Sequence, residues 1–169
     1  RQREFFAGGA TRDPAFRREA LRRLKRGLLE RERDLLAALR ADLGKPESEA
    51  YLSEIAPVVM ELNHAIRNVI RWSRPKRART PAALLGAGSR IHPEPYGVTL
   101  IISPRNYPVL LTLRPLIGAL AAGNCVVVKP SEWTGTVSAA LARLIAEVFP
   151  PEHVACAEGG VETSEALLG

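Results

Sequence analysis

The chain has 169 residues, 46% apolar and 25% charged, with a formal net charge of +6. That length can bury a sizeable core, and no apolar run approaches the roughly 18 residues a membrane-spanning helix needs, so no membrane segment is expected in this portion. The charged opening RQREFF lacks the apolar stretch of a signal peptide, and the start at Arg1 reads as an excised or incomplete chain of cytoplasmic origin.

The first half reads as helices. Asp13-Pro14 offers an N-cap acceptor followed by proline at the first helical position. Leu21, Leu24, Leu28, Leu35 and Leu39 then recur at spacings compatible with one apolar helical stripe. Gly44, followed by Lys45-Pro46, closes that stripe as a C-cap glycine with a proline beyond. A second helix is expected from about Ser48 to Trp72, with Tyr51, Leu52, Ile55, Val58, Val59, Leu62, Ile66, Val69 and Ile70 on its core face and a kink or break at Pro57. The basic residues here alternate with glutamates, as in FRREALRRLKRGLLERERD, which is the pattern of a solvated helix face. The one dense basic cluster, RWSRPKRAR from Arg71 to Arg79, is open to a phosphate-backbone reading. No zinc, helix-turn-helix or RNA-binding signature accompanies it, so no nucleic acid is expected as a partner. SRPKRARTPAALLGAGSR reads as a linker, rich in proline, glycine and alanine.

The second half changes character. YGVTLIIS is a continuous β-branched run, expected to form a strand buried on both faces. The corner SPRNYP follows, then the helical LLTLRPLIGALAA closed by Gly123-Asn124. CVVVK forms a second short strand, PSEWTG leads into a helix through TVSAALARLIAEVF, and HVACAE forms a third strand before Gly159-Gly160. VETSEALLG begins another helix. This β-α-β-α-β order predicts a parallel sheet covered by helices, whose ligand site lies at the carboxyl ends of the strands.

The three strand exits therefore hold the candidate chemistry. Asn106 lies where the first strand hands over to a helix, between Pro104 and Pro108. Its amide is a donor that can stabilise an oxyanion without titrating, or an ordinary cap of the following helix. Lys129 leaves the second strand with Glu132 three residues on. An ammonium that donates and a carboxylate that accepts suit the vicinal hydroxyls of a ribose; a salt bridge across a loop is the plainer reading. Gly159-Gly160 lets a ligand approach the backbone and a helix N-terminus closely, although it is not a GxGxxG fingerprint. Cys125 and Cys156 lie in apolar surroundings with no metal-type or paired spacing, so each reads as an inert buried thiol. The three histidines share no motif and no metal site is expected.

Taken together, EPYGVTLIISPRNYPVLLTLRPLIGALAAGNCVVVKPSE closely resembles the aldehyde dehydrogenase superfamily, and ADLGKPESEAYLSEI resembles its class 3, fatty-aldehyde-dehydrogenase-like branch. The resemblance runs from about Arg3 to Leu168. It implies an α/β fold: amino-terminal helices and a linker over residues 1–89, then the first β-α-β-α-β half of a Rossmann-like NAD(P)-binding domain over 90–169, with the catalytic domain absent. Asn106 matches the oxyanion-hole asparagine, Lys129 and Glu132 match the residues that hold the adenosine ribose of NAD or NADP, and the backbone of Ser103, Pro104 and Arg105 would line the cofactor cleft. The implied reaction oxidises an aldehyde to an acid through a cysteine thiohemiacetal, in an enzyme expected to be a homodimer. The family's Gly-Ser-Thr-x-x-Gly turn, glutamate base and nucleophilic cysteine have no counterpart here, so this chain alone is expected to be inactive, and a truncated remnant that binds nucleotide or a partner chain is the alternative. Arg105 stands where the family usually carries tryptophan. If that position packs against the core, Arg105→Trp in the full-length protein should stabilise the fold.

Overall fold

The computed structural model describes residues 1–84 and 86–169. Helices α1 (Gln2–Ala7), α2 (Pro14–Glu30), α3 (Glu32–Leu43), α4 (Glu47–Ala50) and α5 (Ala56–Trp72) precede a short antiparallel pair, β1 (Lys76–Ala78) and β2 (Ser89–Ile91). Then β3 (Val98–Ile102), α6 (Pro108–Ala122), β4 (Cys125–Lys129), α7 (Gly135–Val148), β5 (Val154–Cys156) and α8 (Val161–Leu168) alternate. The sheet is parallel in the order β3-β4-β5, with Val98 opposite Cys125 and Ile102 opposite Lys129. Val126 and Val128 are fully buried where α6 and α7 pack on the sheet, and α2, α3 and α5 pack in turn on those two helices. Leucines of α2, α3 and α6 and valines of β4 form one contiguous buried cluster.

The helix boundaries follow local chemistry. The Asp13 carboxylate accepts from the Ala15 amide at 2.8 Å, with Pro14 at the first helical position. Gly44 ends α3 at φ 65°, a left-handed conformation that glycine adopts without a Cβ penalty. The single stripe expected before Gly44 is instead two helices. The chain leaves helical geometry at Arg31 (φ −102°, ψ 10°), whose guanidinium is held by Glu147 on α7 and Asp34 on α3. The break lets α2 lie on α5 and α6 while α3 turns onto α7, and all five leucines of the stripe are still buried.

The expected break at Pro57 takes the form of a π-helical turn over Tyr51–Ile55, immediately before α5. Proline cannot donate to a carbonyl of the preceding turn, and the wider turn absorbs the missing bond. Tyr51 and Leu52, expected in the core, consequently face outward at 40% and 69% exposure. Within the expected linker, β1 pairs with β2 from Lys76 opposite Ile91 to Ala78 opposite Ser89; Leu85 lies outside the described residues. β3 is not buried on both faces. Val98 and Ile102, which share one face of the strand, are exposed, and β3 also forms an edge of the sheet among the described residues.

Two close contacts yield measurable consequences. A Cβ on Gly27 would stand 2.5 Å from Val148 Cγ2 and 3.0 Å from Leu144 Cδ1, so glycine sets how closely α2 approaches α7. Gly27→Ala should destabilise the fold by about 1–3 kcal/mol despite its better helix propensity, read as a lowered denaturation midpoint at constant slope. His153, 2% exposed, lies among the rings of Phe5, Phe16 and Phe149. Burial, with the charge of Arg23, lowers its pKa to about 4 from an ordinary 6.5. The unfolded chain then binds the extra proton first, so stability should be full above pH 6.5 and fall as pH drops towards about 4. The loss should reach about 3 kcal/mol, and His153→Phe should flatten the slope of unfolding free energy against pH over that window.

Candidate active site

Parallel pairing brings the first two strand exits side by side. Because Ile102 is opposite Lys129, the next amide, Ser103 N–H, donates to the Lys129 carbonyl at 3.0 Å. The third exit continues the ladder, with Ala157 N–H donating to the Val128 carbonyl at 2.8 Å. Ser103, Lys129 and Glu158 therefore leave the sheet at one end. Gly160 starts α8 with no side-chain cap of its own.

Lys129 is 2% exposed, an unusual burial for an ammonium. Its Nζ donates to the Pro130 carbonyl at 3.0 Å and to Glu132 Oε2 at 2.9 Å. That leaves the third ammonium hydrogen without an acceptor among the described residues. The Glu132 side chain is 35% exposed. The hydrogen bond from Lys129, and then one from its own backbone, hold its carboxyl below the usual range, so it remains an ionised acceptor. A fixed donor beside an accessible ionised acceptor fits the two hydroxyls of a ribose, so the donor set is compatible with a nicotinamide dinucleotide.

Asn106 lies on the exposed stretch between β3 and α6, and its side-chain amide makes no hydrogen bond within the chain among the described residues. It does not contact Lys129 or Glu132 by hydrogen bond. It does not cap α6 either: Tyr107 is the N-cap residue, and it supplies no side-chain acceptor. The amide is thus free to donate outward. Ser103 is buried, and its hydroxyl has no partner among the described residues. Pro104 and Arg105 are exposed. The guanidinium of Arg105 therefore carries no burial cost, and a tryptophan there would find no core in this chain to pack against.

The cap that Asn106 does not provide comes from a residue the sequence reading passed over. Glu54, fully buried in the π-helical turn, accepts from the Val109 amide at 2.8 Å and the Leu110 amide at 3.4 Å through Oε2. Its Oε1 accepts from Lys45 Nζ at 2.6 Å. Lys45 also donates to the Asn106 carbonyl at 3.1 Å and stands 4.0 Å from the Tyr107 ring centroid. A sequence signal existed: Ala50, Glu54, Val58 and Leu62 recur at i,i+4 on one buried helical face, and a carboxylate in that row needs a partner. Asp42 plays the same part for α7, accepting from the Val137 amide at 2.9 Å.

Neither cysteine is poised for attack. Burial raises the Cys125 thiol above its usual range, and burial plus the Glu158 carboxylate push Cys156 up to about 12. A thiol so held is not a thiolate at neutral pH. Both occupy strand positions, as expected. The described residues contain no cluster of histidine, cysteine and acidic side chains that would hold a metal ion, and no helix among them is long and apolar enough to cross a membrane.

The sequence profile of the Aldehyde dehydrogenase family matches residues 3–169. The 4,4'-diaponeurosporen-aldehyde dehydrogenase of Staphylococcus aureus is 42% identical over 164 residues, covering 97% of this chain and 36% of the relative. Aldehyde dehydrogenase family 3 member A2 of Pongo abelii is 39% identical over 168 residues, covering 99% of this chain and 35% of the relative. Among solved structures, the substrate-bound state of Staphylococcus aureus AldH superposes with a TM-score of 0.97 at 41% identity, over 99% of this chain and 36% of that one. Mycobacterium tuberculosis aldehyde dehydrogenase complexed with NAD+ superposes at 0.78 and 27% identity, over 91% of this chain and 31% of that one. The chain thus spans about a third of the length of these relatives. On the profile match and these identities, the chain belongs to the aldehyde dehydrogenase family.

Proposed function

We propose that the chain is the amino-terminal portion of an NAD(P)-dependent aldehyde dehydrogenase that oxidises aldehydes to carboxylic acids, with the nucleophilic cysteine outside these residues. In this reading, residues 1–89 are the helical layer and linker, and 90–169 are the first half of the cofactor domain. The observation that carries it is the shared end of the sheet, where Ser103 and Lys129 are joined by a backbone hydrogen bond and Lys129 holds Glu132. Lys129 and Glu132 bind the adenosine ribose as donor and acceptor. The backbone of Ser103, Pro104 and Arg105 forms the adjoining wall of the cleft, for which the exposed side chain of Arg105 is no obstacle. The cofactor supplies hydride acceptance when bound. Asn106 offers its unengaged amide N–H to the oxygen that becomes negative as a thiolate adds to the aldehyde carbonyl. A neutral amide suits that role because it stabilises charge without competing for the proton. The full-length enzyme is read as a homodimer acting on a small-molecule aldehyde substrate.

A second reading, a nucleotide-binding module without turnover, is favoured by one observation: both thiols in the chain are held protonated by their surroundings. The 169-residue chain incubated with aldehyde and NAD or NADP tests what both readings share, a cofactor cleft without its own nucleophile. Cofactor binding without reduced nicotinamide is expected from it, and turnover by these residues alone would overturn the placement of the nucleophile elsewhere.

In the full-length protein, Asn106→Ala should lower kcat by roughly 10²–10³-fold with little change in cofactor affinity. Unchanged turnover would remove the oxyanion role. Lys129→Ala should act on the other quantity, weakening cofactor binding by roughly 10-fold or more, since it leaves Glu132 without its partner. Titration of cofactor by fluorescence checks this, and an unaltered dissociation constant would remove the ribose assignment.

A further inference from the structure

We infer that Lys45, held by Glu54, is a positioning residue that fixes the orientation of Asn106 for catalysis; this rests on the oxyanion role proposed for Asn106. The Asn106 side chain has no hydrogen bond of its own among the described residues, so its direction is inherited from its backbone. Among those residues its backbone is held by Lys45, whose Nζ donates to the Asn106 carbonyl at 3.1 Å. The same ammonium lies 4.0 Å from the ring centroid of the next residue, Tyr107, and 2.6 Å from Glu54 Oε1. One charge therefore touches the peptide after Asn106, the side chain that follows it, and the carboxylate that caps α6. Restriction of Tyr107 by the proline after it removes further freedom on that side.

The burial of this pair is informative. The Lys45 side chain is 11% exposed and that of Glu54 is not exposed at all. A buried ion pair is at best a modest source of stability compared with apolar packing, but it does specify one arrangement. Capping alone would require only Glu54, whose Oε2 takes both α6 amides. Lys45 adds the link from that cap to the peptide of Asn106. Gly44 and Pro46 flank Lys45, and Gly44 turns the chain out of α3 at φ 65°, which delivers the lysine to the corner from a separate helix. The clamp thus transmits the position of the amino-terminal helical layer to a single amide.

The test is kinetic and uses the full-length protein, assayed for NAD(P)-dependent aldehyde oxidation. Lys45→Met should lower kcat by about 10–100-fold, the scale of a small misplacement of a reacting group, while leaving the KM for cofactor within about 3-fold. Lys45→Arg, which keeps a cation and donors, should recover most of the loss. In an Asn106→Ala background, Lys45→Met should cost less than about 3-fold more, because the group it positions is already gone. Tyr107→Leu, at a partly exposed side chain, loosens the same clamp without unpairing Glu54, and should show the same non-additivity should Lys45→Met fail to fold. If Asn106→Ala lowers kcat while the Lys45 or Tyr107 variants are silent or additive with it, the positioning role is overturned and the oxyanion reading stands. If Asn106→Ala is itself silent, the oxyanion reading fails and takes the positioning role with it.

Discussion

A helix that starts at the end of a buried strand has amide groups that must find acceptors, and two such helices in this chain take theirs from elsewhere in the sequence. Tyr107 is the N-cap of α6 and Thr134 that of α7, and neither offers a side-chain cap. Glu54 serves the first and Asp42 the second. Each carboxylate also lies at the positive end of a helix dipole. The amino-terminal helices are therefore more than a layer packed behind the parallel sheet and its helices. They supply the groups that define where its helices start, and so where the strand-exit corners lie.

Much of this was legible in the sequence because its signals are local. Asp13-Pro14, Gly44 and the alternation of short apolar runs with amphipathic stretches mark element boundaries through the conformations of a few adjacent residues. Other features depend on partners distant along the chain. Nothing near Arg31 announces that Glu147 will hold it and break a leucine stripe in two. Pro57 signals an interruption, but whether the chain kinks or widens into a π turn depends on what the turn must deliver, which here is Glu54 to α6. The exposed face of β3 is not legible in composition, because a β-branched run records a strand's habit and not which neighbours cover it.

The candidate site divides in the same way. Ser103, Asn106, Lys129 and Glu132 stand out because polar residues end apolar runs at the expected edge of a parallel sheet. Arg105 stands out too, as a departure from the family pattern, and its side chain is exposed in this chain. Lys45 and Glu54 attracted no attention, since one follows a helix stop and the other sits inside a helical run. Their importance comes from the third dimension: the carboxylate is on the buried face, and the ammonium reaches across to Asn106.

The caps from outside each helix also impose an order on folding. Glu54 and Val109 are 55 residues apart in sequence, and Asp42 and Val137 are 95 apart. Contacts of such separation close large loops, and that entropy must be met before they reward the chain. The strands and the individual helices can take shape from nearby residues. The corner that carries Asn106 is thus braced by contacts that exist only once the two halves of the chain have met.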